Sequence, residues 1–205
     1  MRRLLKWLLL LPVLVLAALA WTFLPHRLVL DAPDPGPLPP ASPPPGMALS
    51  VLDTGRMEAR GAFAYRGGSF GDVRQFSMSP VLIRHPGGDL LIDAGFGADI
   101  DAHVARTPRI AQSLSRYTAG SPAAEQLRAH GYDPAQLAGV LLTHVHWDHV
   151  SGLDSLRRVA VWLTPEEHAW IAVGGDGSDL MRHLAPQPII EYSFEAKPYL
   201  GFEHS

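Results

Sequence analysis

Residues 142–153 read Leu-Thr-His-Val-His-Trp-Asp-His-Val-Ser-Gly-Leu, which places three histidines and one aspartate within six positions. The apolar run Val140–Leu142 leads into this stretch and is predicted to be a buried strand. Loops that follow strands commonly build binding sites, because they are accessible to ligands at the edge of a sheet. The stretch therefore predicts a polar site at the mouth of a sheet.

The spacing of these polar side chains suits metal ions. In an extended segment residues two apart point to the same side, so His144 and His146 can bind one ion together. A turn after Trp147 would present Asp148 and His149 to a neighbouring position, and the spacing therefore suits two metals. The chain contains no cysteine, so the ligands must be histidine and carboxylate. A chance gathering of such residues is the alternative, and the apolar strand before them argues against it.

The flanking sequence predicts layers of strands and helices. Short apolar runs indicate strands at Ala48–Leu52, Phe76–Ile83, Asp89–Ile92, Val140–Leu142 and Val159–Leu163. One helix is expected between Ser121 and Gly131, and a second is expected to begin at the capping box Thr164-Pro165-Glu166-Glu167 and to continue through about Val173. Strands followed by alternating helices and strands predict an α+β domain, or a layered α/β domain.

The first 24 residues predict a signal peptide or a membrane anchor. Basic residues up to Lys6 precede the apolar run Trp7–Leu24. Ala18-Leu19-Ala20 has the small-x-small form that a signal peptidase cleaves, whereas the length of the run approaches the roughly 20 residues that span a bilayer. Cleavage and retention both stay open. We expect a protein outside the cytoplasm, membrane-anchored, periplasmic or secreted, with residues 1–24 as its contact with the membrane.

The remaining chain divides into a spacer and one folded unit. Residues 25–46 are rich in proline and predict a semi-rigid linker, which leaves residues 47–205 as the domain. The formal net charge is −3 at pH 7, and it becomes −6 without the three basic residues near the N-terminus. Because an acidic domain is repelled by phosphate backbones, we expect a small-molecule substrate and no nucleic acid. The sequence does not indicate an oligomeric state.

Residues 142–153 resemble the signature of the metallo-β-lactamase superfamily. Leu91-Ile92-Asp93-Ala94-Gly95 resembles the Asp-x-Gly that ends a strand in that family, and residues 127–134 resemble the helix and turn that lead into the metal-binding strand. The likeness covers about residues 48–163. It implies an αββα sandwich, of which this chain would carry the N-terminal half.

The resemblance implies a site with two zinc ions. His144 and His146 would hold one Zn²⁺, and Asp148 and His149 would hold the other, so that Asp148 counts among the catalytic residues. A hydroxide bridging the metals would attack the carbonyl of the substrate. Two ions about 3.5–4 Å apart lower the pKa of the water that they share and polarise that carbonyl. Asp93 is expected to hydrogen-bond and orient a ligand histidine, with a plain turn aspartate as the alternative.

The resemblance also requires ligands that the sequence does not show. A third histidine on the first zinc, an aspartate between the metals and a further histidine would come from the later half of the fold. Three histidines lie downstream of the motif, His168, His183 and His204, but the sequence around them does not match that of the missing ligands. We expect them to be surface or packing residues. We therefore expect a domain that is incomplete at its C-terminal end and an inactive chain.

An aromatic group precedes the site in sequence. Phe63, Tyr65 and Phe70 lie in a glycine-rich stretch, where an early loop of the family often covers the substrate. They are candidates for the wall of a substrate pocket. The alternative is that this stretch forms a hairpin that packs on its own sheet.

The expected function is zinc-dependent hydrolysis of a lactone, an ester or a β-lactam, in the lactonase-like and esterase-like branch. The alternatives are a non-catalytic metal-binding module, a glyoxalase II-like thioesterase or an iron-dependent oxygenase. A metal assay separates zinc from iron.

Overall fold

The computed structural model describes residues 2–25, 42–175, 177–184 and 186–193, with side chains from Leu10 onward. The helices are α1 (Arg2–Phe23), α2 (Gly61–Ala64), α3 (Ile100–Val104), α4 (Arg109–Leu114), α5 (Ala123–Ala129), α6 (Trp147–Val150), α7 (Pro165–Ala172) and α8 (Asp179–His183). The strands are β1 (Ala48–Val51), β2 (Gly55–Arg60), β3 (Val73–Ser77), β4 (Val81–Arg84), β5 (Asp89–Ile92), β6 (Ser115–Ala119), β7 (Leu137–Leu141), β8 (Val161–Leu163) and β9 (Ile189–Glu191). Two 3₁₀ turns cover Pro134–Gln136 and Ser151–Ser155.

The main sheet brings distant segments to one edge. Its strand order is β1-β4-β5-β7-β8-β9. Strands β5, β7, β8 and β9 run parallel, and Ile92 at the end of β5 pairs with Leu141 at the end of β7. The residues that follow these two strands therefore meet at the same edge of the sheet.

Helices cover one face of the main sheet. Leu91, Val140 and Val161 are fully buried, and they share a core with Leu127 of α5 and Val150 of α6. Burial of each such side chain contributes about 1.5–3 kcal/mol. This core supports the segment that leaves β7.

A smaller sheet has the order β3-β2-β6. The strand predicted over Phe76–Ile83 is wrong, because β3 ends at Ser77, β4 begins at Val81, and the two belong to different sheets. Pro80 stands at the break, where its missing N–H would interrupt a ladder. The division separates the two sheets beside the candidate site.

The other predicted elements are found with small shifts. Strand β5 has the predicted bounds, and α5 is followed by Gly131 with a φ of 74°. The hydroxyl of Thr164 accepts a hydrogen bond from the backbone N–H of Glu167 at 3.2 Å, as the capping box predicts. Both predicted helices contribute a buried residue to the main core, Leu127 and Ile171.

The structure describes only part of the N-terminal region, so it tests only some of the predictions made there. Residues 2–23 form a helix. Within the described part of the chain, however, no helix is long and apolar enough to cross a membrane. The predicted transmembrane helix is therefore not confirmed. Most of the proline-rich linker, together with His26 and His204, lies outside the described residues.

Candidate metal centre

The four side chains predicted as ligands lie together at the end of β7. The ring centroid of His144 is 4.0 Å from that of His149 and 4.7 Å from that of His146. The Oδ2 atom of Asp148 is 3.6 Å from the Nε2 atom of His149. His146 is extended and α6 begins at Trp147, so the chain turns one residue earlier than expected.

Asp93 reaches this cluster from the end of β5. Its backbone has a φ of 57°, a left-handed conformation that aspartate tolerates better than most residues. Its carboxylate accepts a hydrogen bond from the backbone N–H of Thr143 at 2.8 Å, and its Oδ2 atom lies 2.8 Å from the Nδ1 atom of His149. A carboxylate in this place holds the ring proton on Nδ1 and leaves Nε2 free to bind a metal.

Thr143 also belongs to this cluster, although the sequence analysis did not single it out. Its hydroxyl donates to the Oδ2 atom of Asp93 at 2.9 Å and lies 3.1 Å from the Nδ1 atom of His144. It stands directly before the first histidine of the motif, which was the available signal. Thr143 thus links the carboxylate to a second ring.

The surroundings of His144 and His149 shift the pKa values of these two rings in opposite directions. Burial lowers the pKa of His144, and the neighbouring His149 and His146 lower it further. Burial also lowers the pKa of His149, but the hydrogen bond to Asp93 and the charges of Asp148 and Asp93 outweigh it and raise that pKa. Metals bind the neutral imidazole. At a pH below the pKa of His149, metal binding at this ring would therefore release a proton.

The donor set has the chemistry of a zinc or iron site. It consists of imidazole nitrogens and carboxylate oxygens, and zinc accepts both at distances of about 2.0–2.2 Å. In the part of the chain that the structure describes, no group of three or more such side chains is already arranged to hold a metal ion. The ring separations are nevertheless within reach of a shared ion. The residues therefore fit a metal in type and proximity.

A cavity of about 500 Å³ opens beside Asp93, Asp148 and His149. Its opposite wall is formed by Met57 and the segment Gln75–Pro80. Small-molecule sites commonly have volumes of about 300–1,000 Å³. Asp148 and His149 therefore face a space that a small molecule can enter.

Phe63, Tyr65 and Phe70 do not line this cavity. Strands β2 and β3 pair from Arg60↔Val73 to Arg56↔Ser77, and the cavity lies at the Ser77 end. The three aromatic residues lie beyond the other end. The register of the hairpin thus carries them away from the predicted pocket wall.

The other histidines make separate contacts. His168 lies 2.6 Å from Glu191, and the Nδ1 atom of His183 lies 2.7 Å from the carbonyl oxygen of Asp179. His103 is buried, and its Nδ1 atom lies 2.7 Å from the hydroxyl of Ser151, just after α6. None of these contacts brings the three histidines into the ring cluster.

Gly177 lies against the site from a distant loop. A side chain at this glycine would overlap the ring of His146, and its φ is 77°. The sequence analysis did not single out this residue, because its contact with His146 joins segments that are distant in sequence.

Comparisons with known proteins agree with this geometry. Residues 75–201 match the family model of the metallo-beta-lactamase superfamily. A search of curated protein sequences gives no significant match.

Solved structures with the same fold include several lactone hydrolases. An N-acyl homoserine lactone hydrolase with N-hexanoyl-L-homoserine at its catalytic metal center is 17% identical, with a TM-score of 0.58 over 73% of this chain and 62% of that chain. An AiiA mutant of B. thuringiensis with N-decanoyl-L-homoserine at its active site is 18% identical, with a TM-score of 0.57 over 73% of this chain and 62% of that chain. A quorum-quenching N-acyl homoserine lactone lactonase is 19% identical, with a TM-score of 0.53 over 71% of this chain and 58% of that chain.

This chain spans about three fifths of the length of those structures. The mixed α and β architecture predicted from the sequence is confirmed by the sheets and by these neighbours. On the family match over more than half of its length, the chain belongs to the metallo-β-lactamase superfamily.

Proposed function

We propose that the protein is a zinc-dependent hydrolase of a small carbonyl compound, with a lactone or an ester as the favoured substrate. The observation that carries the proposal is the contact of Asp93 with His149 beside an open cavity. The superfamily match supports hydrolysis, and the lactone hydrolases of similar fold favour lactones over β-lactams.

Each residue of the site has a distinct proposed task. His144 and His146 would hold one zinc ion, and Asp148 and His149 would hold a second. When bound, the two ions would polarise the carbonyl and lower the pKa of a shared water. Asp93 would keep the proton of His149 on Nδ1, so that Nε2 is directed away from the carboxylate.

The cavity offers mixed chemistry to the substrate. Met57 and Met78 provide apolar surface, whereas Ser77 and Ser79 provide hydroxyl groups. Such a lining suits a molecule that has an apolar part and a polar carbonyl group. It would also keep the reacting group next to Asp148 and His149.

A non-catalytic metal-binding module is the second candidate. Its support is that no preformed group of three ligands is found among the described residues. Purified chain should be loaded with zinc, analysed for its metal content, and assayed with lactones, aryl esters and nitrocefin. Turnover that is lost in His146→Ala would support the hydrolase and would contradict the expectation that this chain is inactive. Bound zinc without turnover would support the module, and a preference for iron would favour the oxygenase branch.

We also propose that the protein acts outside the cytoplasm. The support is the run of basic residues before the apolar segment Trp7–Leu24. A reporter fused after Ser50 should be active only when it is exported, and activity confined to the cytosol would contradict the proposal.

A further inference from the structure

The end of α1 and the tip of the β2–β3 hairpin form one aromatic surface. The ring centroids of Phe23 and Phe70 are 5.4 Å apart, and Phe63 lies 6.2 Å from Phe23 and 5.5 Å from Phe70. We call Phe23, Phe63, Tyr65 and Phe70 the aromatic patch. It lies beyond the end of the hairpin that is opposite the candidate metal centre.

Arg66 fixes the helix to the hairpin. Its guanidinium donates to the carbonyl oxygen of Leu24 at 3.1 Å and to that of Trp21 at 3.0 Å. These carbonyls belong to the end of α1, where cationic side chains stabilise the unpaired acceptors. Gly67 packs against Pro25, where a side chain would approach within 2.8 Å. The aromatic patch is therefore continuous with the helix.

This surface is exposed in the described structure. Phe63 is 43% exposed and Phe70 is 57% exposed. From Leu10 onward, most large apolar residues of α1 are exposed, and so is the residue after it: Leu10, Leu11, Val13, Leu14, Val15, Leu16, Leu19, Trp21 and then Leu24. A helix that docks on protein shows one apolar stripe, whereas a helix that is apolar all round requires a surrounding apolar medium. Exposed apolar surface of this extent marks an interaction site.

Arginines border the aromatic patch. Arg60, Arg66 and Arg74 lie in a segment with a single acidic residue, Asp72. Arg60 donates to the carbonyl oxygen of Phe70 at 3.2 Å, and among the described residues neither Arg60 nor Arg66 forms an ion pair. Phenylalanine side chains next to arginines are typical of elements that lie at the interface between a membrane and water, and the arginines are attracted to anionic headgroups.

We propose that the aromatic patch and its three arginines lie in the headgroup region of an anionic lipid membrane. Lipid would also cover the apolar side chains of α1, which need not cross the bilayer. The hairpin extends for four residue steps from Arg60 to Arg56, so the cavity would open about 13 Å further from the lipid. This proposal does not depend on hydrolase activity.

The absence of cysteine from the chain permits a direct test. Ser69→Cys, at the exposed hairpin tip, and Val173→Cys, at the exposed end of α7, each give a single attachment site. The 205-residue chain is labelled with an environment-sensitive fluorophore at either site and is placed in nanodiscs of phosphatidylethanolamine and phosphatidylglycerol. Headgroup spin-labelled lipid should quench most of the emission at position 69 and leave position 173 bright.

A second variant tests whether the side chains of the aromatic patch, and not the membrane contact of α1 alone, bring position 69 close to the lipid. Combining Phe63→Ser, Phe70→Ser and Arg66→Gln with Ser69→Cys should remove most of that quenching, and circular dichroism reports whether the fold is retained. Neutral phosphatidylcholine should reduce quenching in the parent chain. Equal quenching at the two positions would overturn the proposal. So would a blue-shifted emission at position 69 without lipid quenching, which would place a second copy of the chain on the patch.

Discussion

The Oδ2 atom of Asp93 lies 2.8 Å from the Nδ1 atom of His149, although the two residues are 56 positions apart in sequence. The contact exists because β5 and β7 are parallel neighbours whose ends coincide. Asp93 also keeps a φ of 57°. Left-handed backbone of this kind costs on the order of 1 kcal/mol and persists where surrounding contacts hold it. The carboxylate is therefore held in place by its own hydrogen bonds.

Asp93→Asn should weaken zinc binding by about 10–100-fold, because loss of the carboxylate that orients a ligand histidine has an effect of that size. Asparagine keeps the shape and tolerates the backbone conformation. Competition with a chromophoric chelator at fixed pH measures the affinity. Asp133→Asn is the matched control, since its carboxylate only caps a 3₁₀ turn at 2.9 Å from the backbone nitrogen of Ala135. Unchanged zinc affinity in Asp93→Asn would show that the contact does not serve a metal.

Combining His144→Ala with His146→Ala should abolish metal uptake by the chain, whereas either single change should only weaken it. The two changes remove both ligands proposed for the first zinc ion and leave only Asp148 and His149 in the cluster, fewer than the three protein ligands of a typical catalytic zinc site. Metal content after gel filtration is the measurement. His168→Ala with His183→Ala is the control, because both rings lie outside the cluster. Retention of stoichiometric zinc by the first double variant would exclude the hexapeptide as the site.

Tyr132 should make folding stability depend on alkaline pH. Burial and the hydrogen bond to Asp89, at 3.0 Å, raise the pKa of Tyr132 to about 12. The folded state thus favours the neutral phenol, and this contribution is full below the ordinary pKa of about 10 and is lost as the pH rises to about 12. Urea unfolding across that range measures the loss. In Tyr132→Phe the loss should be smaller than in the parent chain, and identical pH profiles would contradict the assignment.

The sequence could predict the four candidate ligands because they are neighbours within one local motif. It could also suggest Asp93 as a residue that orients a ligand histidine, with a plain turn aspartate as the alternative. Its partner, His149, depends on strand order, which periodicity alone does not give. The break before Pro80 and the distant position of Phe63 follow from which sheet each strand joins. Those are long-range properties that no short stretch of sequence contains.

Gly177 and Gly131 provide a matched pair for the last prediction. Both have a left-handed backbone, with φ of 77° and 74°, so alanine at either position should cost about 1–2 kcal/mol of folding free energy. A side chain at position 131 would meet no atom within 4 Å, whereas one at position 177 would overlap the ring of His146. Gly131→Ala should therefore lower stability in urea and leave zinc affinity unchanged. Gly177→Ala should lower stability and also weaken zinc binding, because the ring of His146 must shift to make room for the new side chain. Equal zinc affinities in the two variants would mean that His146 is not a ligand in its present position.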